Sequence, residues 1–387
     1  MGNNNHPGIY LFTIIISILP FHLFSQRGLD DSYLDQIVNE ENYLPLYSEK
    51  NDEIVDLVVM PYGGESRLSY TKEQLIPYLF RYNRNGELEW LFDGFLFYED
   101  RTDLGDGHAF EQHAYLFQKD RARKSEWEWL LDRIFTSGKS LSALNELIRE
   151  TVVREEIMPS RKRKIILSIP EPLSGQLDWG DLNGKVLDFA NDSDRVEAVR
   201  WYIDQLVDRF QAARYEHLEL SGFYWLRPND ELSFQLMPII ASYIKSQGYK
   251  FYWRPSYGRF RGNNWKSYNF DAVYLTPDHL TTSWFKKINV ERACTYASLY
   301  NMGLEVDLDN LVKRYALYRE KFTDYMEVYS EQNVFTKAAM SYKDGDGIIY
   351  EMSQSSNSAL NDIYNQVIDS VAARQIRADK YYLNMKK

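Results

Sequence analysis

Eight short apolar runs are spread along the sequence, with helix-patterned stretches between most of them. This alternation constrains the chain most, because parallel strands are joined only through crossovers of about a dozen residues or more. The first four runs are "EIVDLVVMPYGGE" from Glu53, "WLFDGFLFYED" from Trp90, "KIILSIPEP" from Lys164 and "HLELSGFYWLRPND" from His217. The others are "KFYWRPSYG" from Lys250, "FDAVYLTPDHL" from Phe270, "NMGLEVDLDN" from Asn301 and "DGIIYEMSQ" from Asp346. Most combine β-branched or aromatic residues and break at Pro, Gly or Asp, as strands do. Amphipathic stretches lie between them, such as Asp192 to Tyr215 with Asp or Ser as N-cap, and a pair that parts near Gly138. A long helical region is expected from Asp309 to Tyr342, ahead of the eighth strand. The pattern predicts an α/β fold, a (β/α)8 TIM barrel with long loops at its C-terminal face. An open doubly wound sheet is the competing arrangement, but no GxGxxG or P-loop glycine pattern supports it.

Residues 1–25 read as a signal peptide. Ile9 to Leu19 is a compact apolar run, Pro20 and His22 follow, and Ser25 precedes the expected cleavage point. The segment has no Lys or Arg, so its positive end rests on the α-amino group and His6. So short a run implies no stable membrane insertion after cleavage. Residues 26–54 are expected to form a lead-in with a helix from Asp30 to Glu41, and 55–387 the barrel, with no flexible linker to divide it. Cys294 is the only cysteine, and export without a disulfide suits a periplasmic or secreted bacterial protein. A net charge of −11 argues against nucleic acid as a partner. The 30 Tyr, 20 Phe and 9 Trp supply flat apolar faces with polar edges, which suit either carbohydrate contact or a large aromatic core.

Barrel active sites gather where the strands end, and here nearly every end carries an acid, an aromatic or both. No GxSxG elbow, HExxH motif or phosphate-cradling loop is present, and the six scattered His make no ligand spacing; His108 and His113 share a loop and could bind a metal, but solvated loop histidines are commoner, so no metal or cofactor is expected. What remains is carboxylate chemistry on a neutral polar substrate, and glycoside hydrolysis needs two acids flanking the scissile bond. In "LEVDLD" the period of two puts Glu305 and Asp307 on one face and Leu304 and Val306 on the other. With helices outside the barrel, the acids face inward, where a carboxylate must be paired, near the wet mouth, or functional. Glu305 is therefore the leading candidate for nucleophile or base, the alternative being a structural pair with Arg254. Asp307 is a supporting neighbour, and Asp309 a helix N-cap.

For the proton donor the candidates are Asp230 or Glu231, which open the helix after the fourth strand and for which ordinary helix-dipole chemistry is the commoner reading. Glu99, at the end of the second strand before a long polar loop, is held in reserve, and Glu171 and Glu351 are further alternatives. Tyr62, Tyr98, Tyr224, Trp225, Trp253, Tyr257 and Trp284 are candidates for sugar stacking or for the core. Arg227, Arg254, Asp278, Asp307 and Glu351 are candidates for polar contact with substrate.

The segments "LDWGDLNGKVLDF", "VRWYIDQLVDRF", "LELSGFYWL", "KFYWRPSYG", "FDAVYLTPDH" and "NMGLEVDLD" together resemble an exported bacterial domain-of-unknown-function family. The resemblance runs from about Val55 to the C-terminus. It implies a glycoside-hydrolase-like barrel associated with polysaccharide breakdown, with a glutamate at the place of Glu305 and an acid close after "GFYW". Here Arg227, Pro228 and Asn229 stand before Asp230, so the fourth-strand acid is displaced or replaced. The function expected is glycoside hydrolysis of a polysaccharide or oligosaccharide; the alternative is a non-catalytic glycan-binding barrel of the bacterial envelope.

Overall fold

The computed structural model describes residues 42–62, 67–100, 108–110, 121–226, 231–257 and 262–385, the side chains of 231 and 385 apart. The chain divides after Val38, and residues 1–38 lie outside the described residues; Asn39–Lys387 is the second unit. The expected signal peptide and the helix from Asp30 to Glu41 also lie outside the described residues.

The second unit is a closed barrel of eight parallel strands. In chain order they are β1 (Asp56–Pro61), β2 (Gly94–Tyr98), β3 (Arg163–Ile169), β4 (Leu218–Trp225), β5 (Lys250–Trp253), β6 (Ala272–Leu275), β7 (Gly303–Leu308) and β8 (Met340–Asp344). Each strand pairs with its sequence neighbours, and β8 pairs with β1 to close the ring. Around it lie α1 (Lys72–Leu79), α2 (Lys124–Ile134), α3 (Ser140–Glu155), α4 (Asp192–Ala213), α5 (Glu231–Ser246), α6 (Lys287–Leu299), α7 (Ala316–Glu331), α8 (Ile348–Ser353) and α9 (Ser358–Met385). Between β5 and β6 the described residues of the crossover include a 3-10 segment, Gly262–Tyr268.

Seven of the eight predicted strands lie where the sequence places them, and the eighth does not. "DGIIYEMSQ" is helical through α8, and the strand that closes the barrel is Met340–Asp344, "MSYKD". Periodicity alone does not separate a short apolar strand from a buried helical turn, and pairing decides it: β8 finds β7 on one side and β1 on the other.

Side-chain alternation divides the strands into an outer layer under the helices and an inner layer. Outward residues are the large apolar ones: Trp225 packs edge-on against Phe251 at 6.1 Å, and Trp253 stacks on Phe270 at 5.3 Å. Gly222 is required where β4 meets β5, because a Cβ there would lie 2.0 Å from the Lys250 carbonyl oxygen. Asn51 reaches under the barrel and donates to the Tyr274 hydroxyl at 3.0 Å.

The last helix is welded to this end by buried charge. Arg374 donates to Asp56 at 2.6 Å and to the carbonyls of Val55 and Ala338, both at 2.9 Å. Gln375 bridges Asp56 and Asp93 at 2.8 and 3.1 Å. Burial would raise the Asp93 carboxyl, but Arg161 and the backbone N–H groups of Asp56 and Val55 outweigh it and hold it below its ordinary value.

Candidate functional site

The C-terminal mouth of the barrel is a polar cup. Its wall follows from register: Tyr98 of β2, Ser168 of β3 and Tyr224 of β4 stand on the inner face, with Arg254 and Thr276 just past the ends of β5 and β6. Glu305 and Asp307 of β7 lie beside Ser341 and Lys343 of β8.

Glu305 has no exposure to solvent, and every lone pair of its carboxylate is engaged. Arg254 grips it with Nε at 2.6 Å and Nη2 at 2.5 Å, Thr276 donates at 2.7 Å, and Ser341 at 2.9 Å. Burial pushes its carboxyl up, but the Arg254 charge and these donors prevail, and it is held below the usual carboxylate range. The Arg254 guanidinium also lies 5.8 Å from the centre of the Tyr224 ring, so the pair joins β4, β5, β6, β7 and β8. Glu305 is therefore a charged, saturated anchor of the wall.

Asp307, two residues on, is the last inward side chain of β7. About 3.3 Å of rise per residue sets it roughly 6–7 Å nearer the mouth than Glu305. It accepts a hydrogen bond from the Tyr325 hydroxyl of α7, and Thr281 approaches its other oxygen at 3.5 Å. Burial and the nearby Asp278 and Glu305 carboxylates raise its pKa to about 7, against Tyr325 and Lys343.

Glu99 directly follows β2, on the side of the mouth three strands round from β7. Arg67 holds it at 3.0 and 3.2 Å and also binds Asp100 and Asp346. Burial, with the Asp100 charge added, raises Glu99 to about 7 despite Arg67. One strand wall therefore holds an ionised carboxylate below a neutral-titrating one, and a second neutral-titrating one follows β2. Environments that drive carboxyl groups apart in pKa are how two acids acquire different chemical roles.

The other expected residues divide clearly. Tyr98 and Tyr224 belong to the cup. Tyr62, Trp225 and Trp253 turn outward: the Tyr62 hydroxyl points to the Leu130 carbonyl of α2 at 3.4 Å, and the two tryptophans are walled in by other aromatics. Tyr257 sits edge-on to Tyr296 of α6 at 5.8 Å, Asp278 flanks Asp307, and Trp284 is exposed on the loop after β6. Glu351 lies on α8, ion-paired with Lys313, and not at a strand end; misplacing β8 brought it into the candidate set. Arg227 and Asp230 lie outside the described residues, as does the side chain of Glu231, whose backbone opens α5. Asp309 accepts from the Leu311 N–H at 2.9 Å, but it stands one residue before the N-cap of the turn Leu311–Arg314, which is Asn310. His108 pairs with Glu126 at 2.7 Å, and no metal-holding cluster of His, Cys, Asp and Glu occurs among the described residues.

Sequence reasoning missed Thr276, Ser341, Tyr325 and Arg67. Only Tyr325 carried a signal, as one of a Tyr325–Tyr329 pair at helical spacing whose hydroxyls both reach β7. It also passed over Asp344 at the end of β8, whose carboxylate accepts from Tyr78 at 2.7 Å and from the Ile349 N–H at 2.9 Å. Burial raises Asp344 to about 7. Its folded form thus keeps a proton that the unfolded chain loses near pH ~4, so this group's contribution to stability falls as pH rises from about 4 to about 7. Asp344→Asn is expected to flatten that part of the pH dependence of the melting temperature and to raise it at pH 8. An unaltered profile would refute the assignment.

No curated protein matches the chain. Among solved structures, an intracellular xylanase from Thermoanaerobacterium saccharolyticum is similar at 7% identity and a TM-score of 0.37, over 77% of this chain and 87% of that one. An endo-1,4-beta-xylanase from Caldicellulosiruptor owensensis gives 12% and 0.36, over 78% and 88%. An endo-beta1,6-glucanase gives 11% and 0.38, over 78% and 66%. Scores this low transfer no activity. A family model described as "Domain of unknown function (DUF4855)" matches residues 56–369, and the chain belongs to that family.

Proposed function

We propose that the cup is the active centre of a glycoside hydrolase acting on a polysaccharide or oligosaccharide in the periplasm or outside the cell. The observation that carries this is the set of three carboxyl groups, Glu99 after β2 and Glu305 and Asp307 on β7, around a mouth walled by Tyr98 and Tyr224. Glu99, raised to about 7, keeps the proton that a leaving glycosidic oxygen needs. Asp307, nearest the mouth on the facing wall, is the nucleophile or water-activating base. Glu305 moves from leading nucleophile to anchor, since its four donors leave no lone pair for a substrate. It keeps Arg254 in place and its charge keeps Asp307 from ionising early.

The test is a panel of soluble polysaccharides with reducing-sugar readout across pH. Catalysis requires Asp307 ionised and Glu99 protonated. Both titrate near 7, so a narrow bell centred near neutrality is expected. An acid limb below pH 5 would return the anionic role to Glu305. The second function, glycan binding without catalysis, is favoured by the complete burial of Glu99, Glu305 and Asp307. It predicts retention on a polysaccharide with no reducing ends released.

A further inference from the structure

The loop after β6, residues 276–286, forms part of the cup's rim. Its Thr276 donates to Glu305 at 2.7 Å, and Thr281 lies 3.5 Å from Asp307. The loop has little regular structure, yet α7 fixes it at several points. The Lys321 ammonium donates to the carbonyls of His279, Thr282 and Phe285 at 3.0, 2.9 and 2.6 Å. His279 Nε2 lies 2.9 Å from Asp324, and the His279 N–H donates to the Tyr325 hydroxyl at 3.3 Å. A lysine only 3% exposed is tolerated because these carbonyls replace its water, and in doing so it clamps the loop. Inside the clamped stretch, between Thr282 and Phe285, Trp284 is 78% exposed, the highest value of any large hydrophobic residue described. A segment this tightly held keeps the indole in water by construction.

We propose that Trp284 is a stacking platform for a neutral polysaccharide chain leaving the cup, so that the substrate of the proposed hydrolase is a polymer. An indole offers a flat apolar face with a polar edge, which suits the C–H face of a pyranose ring. Because the loop is already ordered, binding there costs little further conformational entropy. The net charge of −11 disfavours anionic polymers, and a neutral polymer is the class whose apolar sugar faces suit an uncharged indole. The platform rests on the proposed function only for the statement that the bound chain is also cut.

The experiment uses the full chain, with Trp284→Ala and Trp284→Phe, in gels cast with soluble xylan, mixed-linkage β-glucan, β-1,6-glucan, dextran or galactomannan. Polygalacturonate is the anionic comparator. Wild type should be retarded by at least one neutral polymer and not by polygalacturonate. Trp284→Ala should weaken that binding about tenfold and Trp284→Phe by less. Val153→Ala, equally exposed but on α3, should bind as wild type. In hydrolysis, Trp284→Ala should raise KM for the polymer more than it lowers kcat. Wild-type binding by Trp284→Ala, or no retardation of wild type by any neutral polymer, overturns the platform. Retardation that depends on Trp284 without any hydrolysis keeps the platform and overturns the hydrolase; hydrolysis indifferent to Trp284 does the reverse.

Discussion

Replacing Asp307 with Asn is expected to lower polysaccharide hydrolysis by about 10²–10⁴-fold with little change in melting temperature. Asn reproduces the shape of the protonated carboxyl, which is the form burial already favours up to about pH 7. It can still accept from Tyr325, so packing at the mouth is preserved. What it cannot supply is an anion. Glu99→Gln should cost activity on the same scale for a different reason, loss of the proton for the leaving group. An aryl glycoside with an acidic phenol leaves without that proton, so it should restore bond cleavage in Glu99→Gln and not in Asp307→Asn. Near-normal turnover of a polysaccharide by Asp307→Asn would sink the assignment, and equal rescue of both variants would show the two roles misassigned.

Removing the Arg254 side chain, as in Arg254→Ala, is expected to cost about 3–5 kcal/mol of stability. Glu305 would lose its charge partner and two of four donors while remaining sealed from water. Neutralising both partners together, with Arg254→Met and Glu305→Leu, removes the stranded charge and should recover much of the loss. Equilibrium urea unfolding of the two variants measures the difference. A loss below about 1 kcal/mol for Arg254→Ala would mean that Glu305 is relieved by water or a proton, contrary to the saturated geometry.

Much of the barrel was legible because a strand buried on both faces has to be built from apolar β-formers, and seven such runs stand out from the helical stretches around them. β8 was not legible. "MSYKD" carries inward Ser341 and Lys343 and outward Tyr342, a polar pattern that makes sense only beside Glu305 and Asp307 on β7. "DGIIYEMSQ" looked more like a strand because Ile348 and Ile349 are buried, yet a helix lying on the core buries them equally well.

The sequence by itself determined the alternation of strands and helices and the inward face of "NMGLEVDLDN", because a period of two leaves no freedom once Leu304 and Val306 must meet the helices. It also named Arg254 as the partner Glu305 could take. Only the tertiary structure decided which carboxylate is spent on that pairing and which is left to titrate near neutrality. Thr276, Ser341 and Tyr325 come from three other segments, and the donors each carboxylate receives depend on how those segments are arranged around β7. Local patterning fixes the direction in which a side chain points; the charge it carries there is set by burial and by neighbours distant in the chain.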